Sequence, residues 1–295
     1  MKDIQKVAVL GGGLMGSGIA QVAAASGYTT IVREVSDDLC ARARAAVTRS
    51  FDKAIEKGKA TTEDRDSALA RLIFTTALGD VAGADIVIEA VVEDLAVKTG
   101  MFRELDALCG PDTIFASNTS SLTIAEIAAA TERADRFVGL HFFNPVPAMK
   151  LVEVVRAIRT SEPTVERATA FVRSLGKEPI SAHDNSGFVV NLLLVPYMID
   201  AIRALESGVA SVADIDKGMM LGAGYPMGPF TLLDFVGLDT TYRIAEIMYA
   251  EYREQRYAPP PLLKRMVVAG MFGRKSGMGF YDYSQNPPVP SDIGL

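Results

Sequence analysis

Two stretches of this chain hold residues whose types and spacing could do chemistry. Residues 11–16 read Gly-Gly-Gly-Leu-Met-Gly. In such a G-x-G-x-x-G run, Gly11 would turn the chain tightly, Gly13 would let a pyrophosphate approach the backbone, and Gly16 would let a helix pack on the preceding strand. The N–H groups around Leu14 and Met15, with the dipole of the helix they open, favour an anion. Glu34, about 20 residues on, is spaced as a carboxylate that accepts hydrogen bonds from ribose hydroxyls. It would repel a 2′-phosphate, so NAD is expected rather than NADP. Arg33 could pair with a phosphate, but neighbouring strand residues point to opposite faces, so the two are not expected to share one ribose.

The second stretch surrounds one of only two histidines. His141 precedes Phe-Phe-Asn-Pro-Val-Pro, and an apolar run over 150–155 then contains Glu153. If the chain reverses around Pro147, His141 and Glu153 face one another with the same side-chain parity. A carboxylate bonded to an imidazole fixes its tautomer and stabilises the imidazolium. Such a base takes an alcohol proton as hydride leaves carbon. A hydrogen-bonded core histidine is the alternative for His141. A lone glutamate in an apolar strand, however, needs a partner. His183 reads as a solvated linker residue without a role.

The elements that must position these residues alternate. Apolar runs at 6–10, 29–32, 86–90, 113–117, 137–142 and 150–155 read as strands. Helical patterns at 14–26, 95–108 and 163–175 lie between or after them, with a helical excursion at about 36–70. In that excursion Leu39, Ala43, Val47, Phe51 and Ile55 recur at i+4 on one face. Alternating strands and helices predict an α/β, doubly wound, Rossmann-type domain with a mainly parallel sheet over 1–185. From 186 to 295 the pattern is helical (188–206, 212–221, 231–236, 240–253, 261–269) with one late strand at 279–283, which predicts a helical second domain.

Length and composition agree with two domains: 295 residues, 49 % hydrophobic and 22 % charged. A net charge of −6, from 30 basic and 36 acidic residues, argues against general nucleic-acid binding. The longest apolar stretch, 187–204, is interrupted by Asn191, Pro196, Asp200 and Arg203 and does not read as a membrane span. Cys40 and Cys109 fall in helical patterns and form no Cys/His cluster. No metal site is expected, and a reducing, cytoplasmic setting is.

Several long motifs add a resemblance. His141 through Pro147 with Lys150 through Val155, Ala116 through Leu122, Leu221 through Phe230, and Phe272 through Gly277 with Gly279-Phe280-Tyr281 are together similar to the signature of the L-3-hydroxyacyl-CoA dehydrogenase family. The size resembles its stand-alone bacterial 3-hydroxybutyryl-CoA type. The resemblance implies reversible, NAD-dependent oxidation of an L-3-hydroxyacyl-CoA, of short chain, to the 3-ketoacyl-CoA. It implies His141 as general acid/base with Glu153 as its partner, and Ser120 and Asn191 around the substrate oxygen and the histidine. Glu93, Lys98, Ser120, Asn144 and Lys275 match NAD contacts of the family, and Ser50 and Lys57 match coenzyme A contacts. Where the family usually has Pro-Gly-Phe and Val-Asn-Arg, this chain has Ser186-Gly187-Phe188 and Val190-Asn191-Leu192, which implies a less rigid turn and one missing basic contact.

Local spacing fits the coenzyme A reading, because Ser50, Lys53 and Lys57 share a helical face. An ordinary solvated face has the same spacing. The rival readings are a dehydrogenase of a non-CoA hydroxy acid, of gulonate or carnitine type, and a non-catalytic nucleotide-binding protein. The apolar run through Leu192, Leu193, Leu194, Val195, Met198 and Ile199 needs cover on several sides. A homodimer interface, as the family implies, or a large core within the domain would provide it.

Overall fold

The computed structural model describes residues 4–294, which divide into two compact units, the first ending at Phe188 and the second beginning at Val189. The first opens on β1 (Lys6–Leu10), α1 (Leu14–Ala25) and β2 (Thr29–Arg33), followed by the helical pair α2 (Asp37–Glu56) and α3 (Thr62–Ala70). Then come β3 (Leu72–Thr75), β4 (Ile86–Glu89), α4 (Leu95–Leu108), β5 (Ile114–Ser117), α5 (Ile124–Ala128) and β6 (Phe137–Phe142). The unit closes with β7 (Leu151–Arg156), α6 (Glu162–Ser174) and β8 (Glu178–His183).

The eight strands form one sheet in the order β3-β2-β1-β4-β5-β6-β7-β8, parallel throughout except for the antiparallel β6–β7 pair. Both faces are covered, and β1 shows why its sequence is continuously apolar. Val7 and Val9 enter one core while Ala8 and Leu10 enter the other, all fully buried. Burying Val7, Val9 and Leu10 contributes roughly 1.5–3 kcal/mol each. On α2, Ala43, Val47 and Phe51 are buried in the first of these cores. The Ser36 hydroxyl caps this helix by accepting from the Leu39 N–H at 3.3 Å.

Two strands escape the periodicity reading. β3 is only four residues long and follows directly on α3, and β8 carries a proline and exposed polar residues. His183 is therefore the last residue of β8, paired in register with Arg156, and not part of a linker.

The second unit comprises α7 (Val190–Glu206), α8 (Val212–Gly222), α9 (Pro229–Val236), α10 (Leu238–Tyr252) and α11 (Pro261–Val268). A short ribbon follows, of β9 (Tyr281–Asp282) and β10 (Val289–Pro290). The late strand expected at 279–283 thus shrinks to two residues. The N–H groups of Phe280, just before it, and of Tyr281, its first residue, donate to the buried Asp234 carboxylate, both at 2.9 Å. Val195, Met198, Ile199, Ile202 and Leu205 line one face of α7 and pack with Phe230, Leu233, Met248 and Leu263. Leu192 and Leu194 lean on that core, while Leu193 stays 64 % exposed, so the unit's own core absorbs most of the apolar run.

Candidate active site

The glycine run connects β1 to α1, and steric contacts divide its members by role. Gly11 has φ +88°, a left-handed conformation that favours glycine. A Cβ on Gly16 would lie 1.7 Å from the Gly11 carbonyl oxygen, so the helix start can close on the turn only without one. A Cβ on Gly13 would meet nothing within 4 Å. That exposed backbone leaves room for a ligand to approach α1. Gly12, to which the motif assigns no function, is also forced, because a Cβ there would sit 2.5 Å from that of Ala43.

A crevice of about 810 Å³ opens beside this turn, lined by Gly11, Gly13, Leu14, Met15, Arg33 and Glu34 together with residues after β4 and on α4. Leu14, Val35, Val92 and Val97 are exposed apolar side chains gathered on its walls, a pattern that marks a ligand site. Glu34 is tied to the turn: it accepts the Gly12 N–H at 2.5 Å and the Val35 N–H at 3.2 Å. A carboxylate has about four acceptor sites, so capacity remains for ribose hydroxyls. These features fit a dinucleotide. Strand alternation does not separate Arg33 from Glu34, however. β2 ends at Arg33, the alternation ends with it, and both residues line the crevice.

Beyond β4 lies a buried polar network that periodicity does not reveal. Lys98, 1 % exposed, places its ammonium 2.6 Å from Glu89 and 3.1 Å from Glu93. The Ser117 hydroxyl and the Val91 N–H donate to Glu89 at 2.6 and 2.7 Å. Glu93 accepts from the Thr119 hydroxyl at 2.5 Å, and from the Ser120 N–H and Ser121 hydroxyl at 3.1 Å each. Burial pushes the Glu93 carboxyl up, but the Lys98 charge and these hydrogen bonds outweigh it and hold it below the usual carboxylate range. Lys98 therefore orders Glu93, and through it the loop carrying Ser120. Local spacing in the sequence does not mark Glu89, Ser117, Thr119 and Ser121 for this network. The available signal was a glutamate ending a wholly buried strand, which demands a partner.

His141 and Glu153 stand directly opposite each other in the β6–β7 register. His141 Nδ1 is 2.5 Å from Glu153 Oε2, and the two residues are 6 % and 0 % exposed. With Glu153 ionised, Nδ1 carries the hydrogen and Nε2 is the basic nitrogen. The Phe143 and Phe188 rings lie 4.5 and 5.6 Å from the imidazole, and Asn118 Oδ1 accepts the neighbouring Phe142 N–H at 2.9 Å, pinning the end of β6.

The remaining expected residues are more scattered. Asn144 is exposed in the turn after β6, Ser50 is half-buried on α2, and Lys57 is exposed at that helix's end. On the second unit, Asn191 is the second residue of α7, and Lys275 pairs with Asp239 at 2.6 Å. Ser186 is buried and its hydroxyl donates to the Ser121 carbonyl at 2.8 Å. The serine at this departure from the family pattern therefore ties its turn to the Ser120 loop.

Residues 6–185 match the family model "3-hydroxyacyl-CoA dehydrogenase, NAD binding domain", and residues 187–283 match "3-hydroxyacyl-CoA dehydrogenase, C-terminal domain". A 3-hydroxybutyryl-CoA dehydrogenase of Mycobacterium tuberculosis is 50 % identical over 282 residues, covering 95 % of this chain and 99 % of the relative. The human mitochondrial hydroxyacyl-coenzyme A dehydrogenase is 49 % identical over 287 residues, covering 95 % and 91 %. The crystal structure of M. tuberculosis FadB2 superposes with a TM-score of 0.94 at 50 % identity, over 96 % of this chain and all of that one. A glycine turn built for a dinucleotide, a histidine–glutamate pair across one hairpin and matches along nearly the whole sequence converge: the chain belongs to the 3-hydroxyacyl-CoA dehydrogenase family.

Proposed function

We propose that this chain catalyses the reversible oxidation of a short-chain L-3-hydroxyacyl-CoA, such as the 3-hydroxybutyryl thioester, to the 3-ketoacyl-CoA. The observation that carries this reading is the 2.5 Å contact between His141 Nδ1 and Glu153, in a member of this family. Bound NAD supplies the hydride acceptor. His141 Nε2 takes the alcohol proton as the O–H electron pair becomes the second carbon–oxygen bond and the C3 hydrogen leaves with its electrons. Glu153 holds the ring in the tautomer that exposes Nε2 and stabilises the resulting imidazolium. In reverse, the imidazolium returns its proton to the ketone oxygen. A positioned base of this kind contributes roughly 10²–10⁴-fold.

The Ser120 hydroxyl and Asn191 are proposed, from family membership, to hold the substrate oxygen. Glu93, Asn144 and Lys275 are proposed to contact the cofactor, with Lys98 acting through Glu93. Ser50 and Lys57 are the proposed contacts for coenzyme A, supported by Lys53 on the same helical face in a chain of net charge −6. A homodimer is proposed from family membership, with support from the exposed Leu193, Leu221 and Phe235 of the second unit. Among the described residues no helix is long and apolar enough to cross a membrane. The buried free thiols of Cys40 and Cys109 support a reducing, cytoplasmic setting.

Assays with acetoacetyl-CoA and NADH, against free hydroxy acids with NAD, test the substrate class. Turnover of the thioester is expected, and turnover of the free acids alone overturns the reading. In H141N, kcat is expected to fall about 10²–10⁴-fold with NADH affinity intact. Undiminished turnover removes His141 from its role.

A further inference from the structure

We propose that Lys177 is a positioning residue for proton transfer: its ammonium clamps the turn joining the two strands that carry His141 and Glu153. The proposal rests on the reading of that pair as the general acid/base. Lys177 lies between α6 and β8 and is 7 % exposed. Its Nζ donates to the Val146 carbonyl at 2.6 Å and the Met149 carbonyl at 2.7 Å, and reaches that of Pro147 at 3.5 Å. All three oxygens belong to the turn between Phe142, the last residue of β6, and Leu151, the first of β7. Two short hydrogen bonds and one long contact thus join the ammonium to three carbonyls of one turn.

This is a costly way to satisfy carbonyl groups. Among the described residues no carboxylate pairs with Lys177, and burial pushes its ammonium below the usual lysine range. A turn at the surface could leave the same oxygens to water. What the buried charge adds is a fixed position. From the other side the turn is backed by α1: a Cβ on Gly18 would lie 2.8 Å from that of Val146, which is itself 2 % exposed. Held between the glycine-opened helix and the lysine, the hairpin cannot slip. A one-residue slip would carry Glu153 to the sheet face opposite His141.

The test compares K177M, which keeps chain length without charge, with K177R, which restores donors and charge. The readouts are kcat and KM for acetoacetyl-CoA, NADH Kd by fluorescence titration, and the pH dependence of kcat. In K177M, kcat is expected to fall about 10–100-fold, with NADH Kd and thioester KM changed less than about two-fold. The histidine limb of the pH profile should move in K177M and return in K177R along with most of the lost rate. Unchanged kcat, or a loss shared equally by NADH affinity and unrestored by arginine, overturns the proposal. Should K177M fail to fold, K177Q takes the same measurements under the same criteria. H141N separates the two readings: an active H141N defeats the acid/base assignment, whereas an inactive H141N beside a fully active K177M defeats only the role of Lys177.

Discussion

At the scale of single residues, two neighbours of opposite charge are proposed to set selectivity for the cofactor. Glu34 is anchored to the Gly12 N–H, and Arg33 donates through Nε to the Thr76 carbonyl at 3.4 Å, a long bond that costs little to exchange. Both line the same crevice. Removing the carboxylate leaves a guanidinium where a 2′-phosphate would otherwise meet repulsion. In E34A, kcat/KM with NADP relative to NAD is therefore expected to rise about 10–100-fold, corresponding to a charged hydrogen bond of about 1.5–3 kcal/mol. The double variant R33A/E34A should lose that gain. Steady-state kinetics with both cofactors check this, and an unchanged ratio in E34A refutes the part given to Arg33.

At the scale of elements, the turn from β1 into α1 is shaped by two different demands. A Cβ on Gly16 would lie 1.7 Å from a carbonyl oxygen and one on Gly12 2.5 Å from the Ala43 Cβ, while Gly13 faces open space. The same motif therefore contains a glycine that packing requires and one that it does not. G16A must push the helix start off the turn and is expected to cost about 3 kcal/mol of stability along with cofactor binding. G13A should leave the melting temperature within about 1 °C while weakening NADH binding, since Cβ would occupy only the space used by the ligand. Thermal melts paired with NADH titrations distinguish the two, and equal destabilisation would contradict the division.

At the scale of the whole molecule, each unit has its own core and its own buried polar anchor. In the second unit, Asp216 caps the start of α9 through the Phe230 and Thr231 N–H groups at 2.7 and 3.0 Å, and Asp234 accepts the Tyr283 hydroxyl at 3.1 Å. Burial, followed by the Asp234 charge, pushes the Tyr283 phenol up to about 12, and burial with the Asp216 charge raises Tyr281 as well. A phenol whose folded pKa exceeds its unfolded value contributes stability that is complete below the unfolded pKa, near 10, and is lost as pH rises toward the folded one. The second unit is therefore expected to loosen between about pH 10 and 12. Tyrosinate absorbance should show late-titrating phenols among the nine tyrosines, coincident with loss of helical circular dichroism. Y283F should remove one late phenol. A titration in which every tyrosine follows ordinary behaviour would refute the anchor.

Local pattern alone determined the alternation of strands and helices, the glycine turn with Glu34 after it, and the parity that sets His141 against Glu153, because each depends on neighbours within a few residues or on one tight return. It could not reveal β8, whose proline and exposed polar residues carry no strand signal and which pairs only because β7 offers an edge. Nor could it show that Arg33 shares the crevice with Glu34, that Lys98 is enclosed by Glu89 and Glu93, or that Lys177 reaches back 28 residues to Met149. Those arrangements come from packing between elements distant in sequence. There, the requirement that every buried charge find a partner selects contacts that no local spacing encodes.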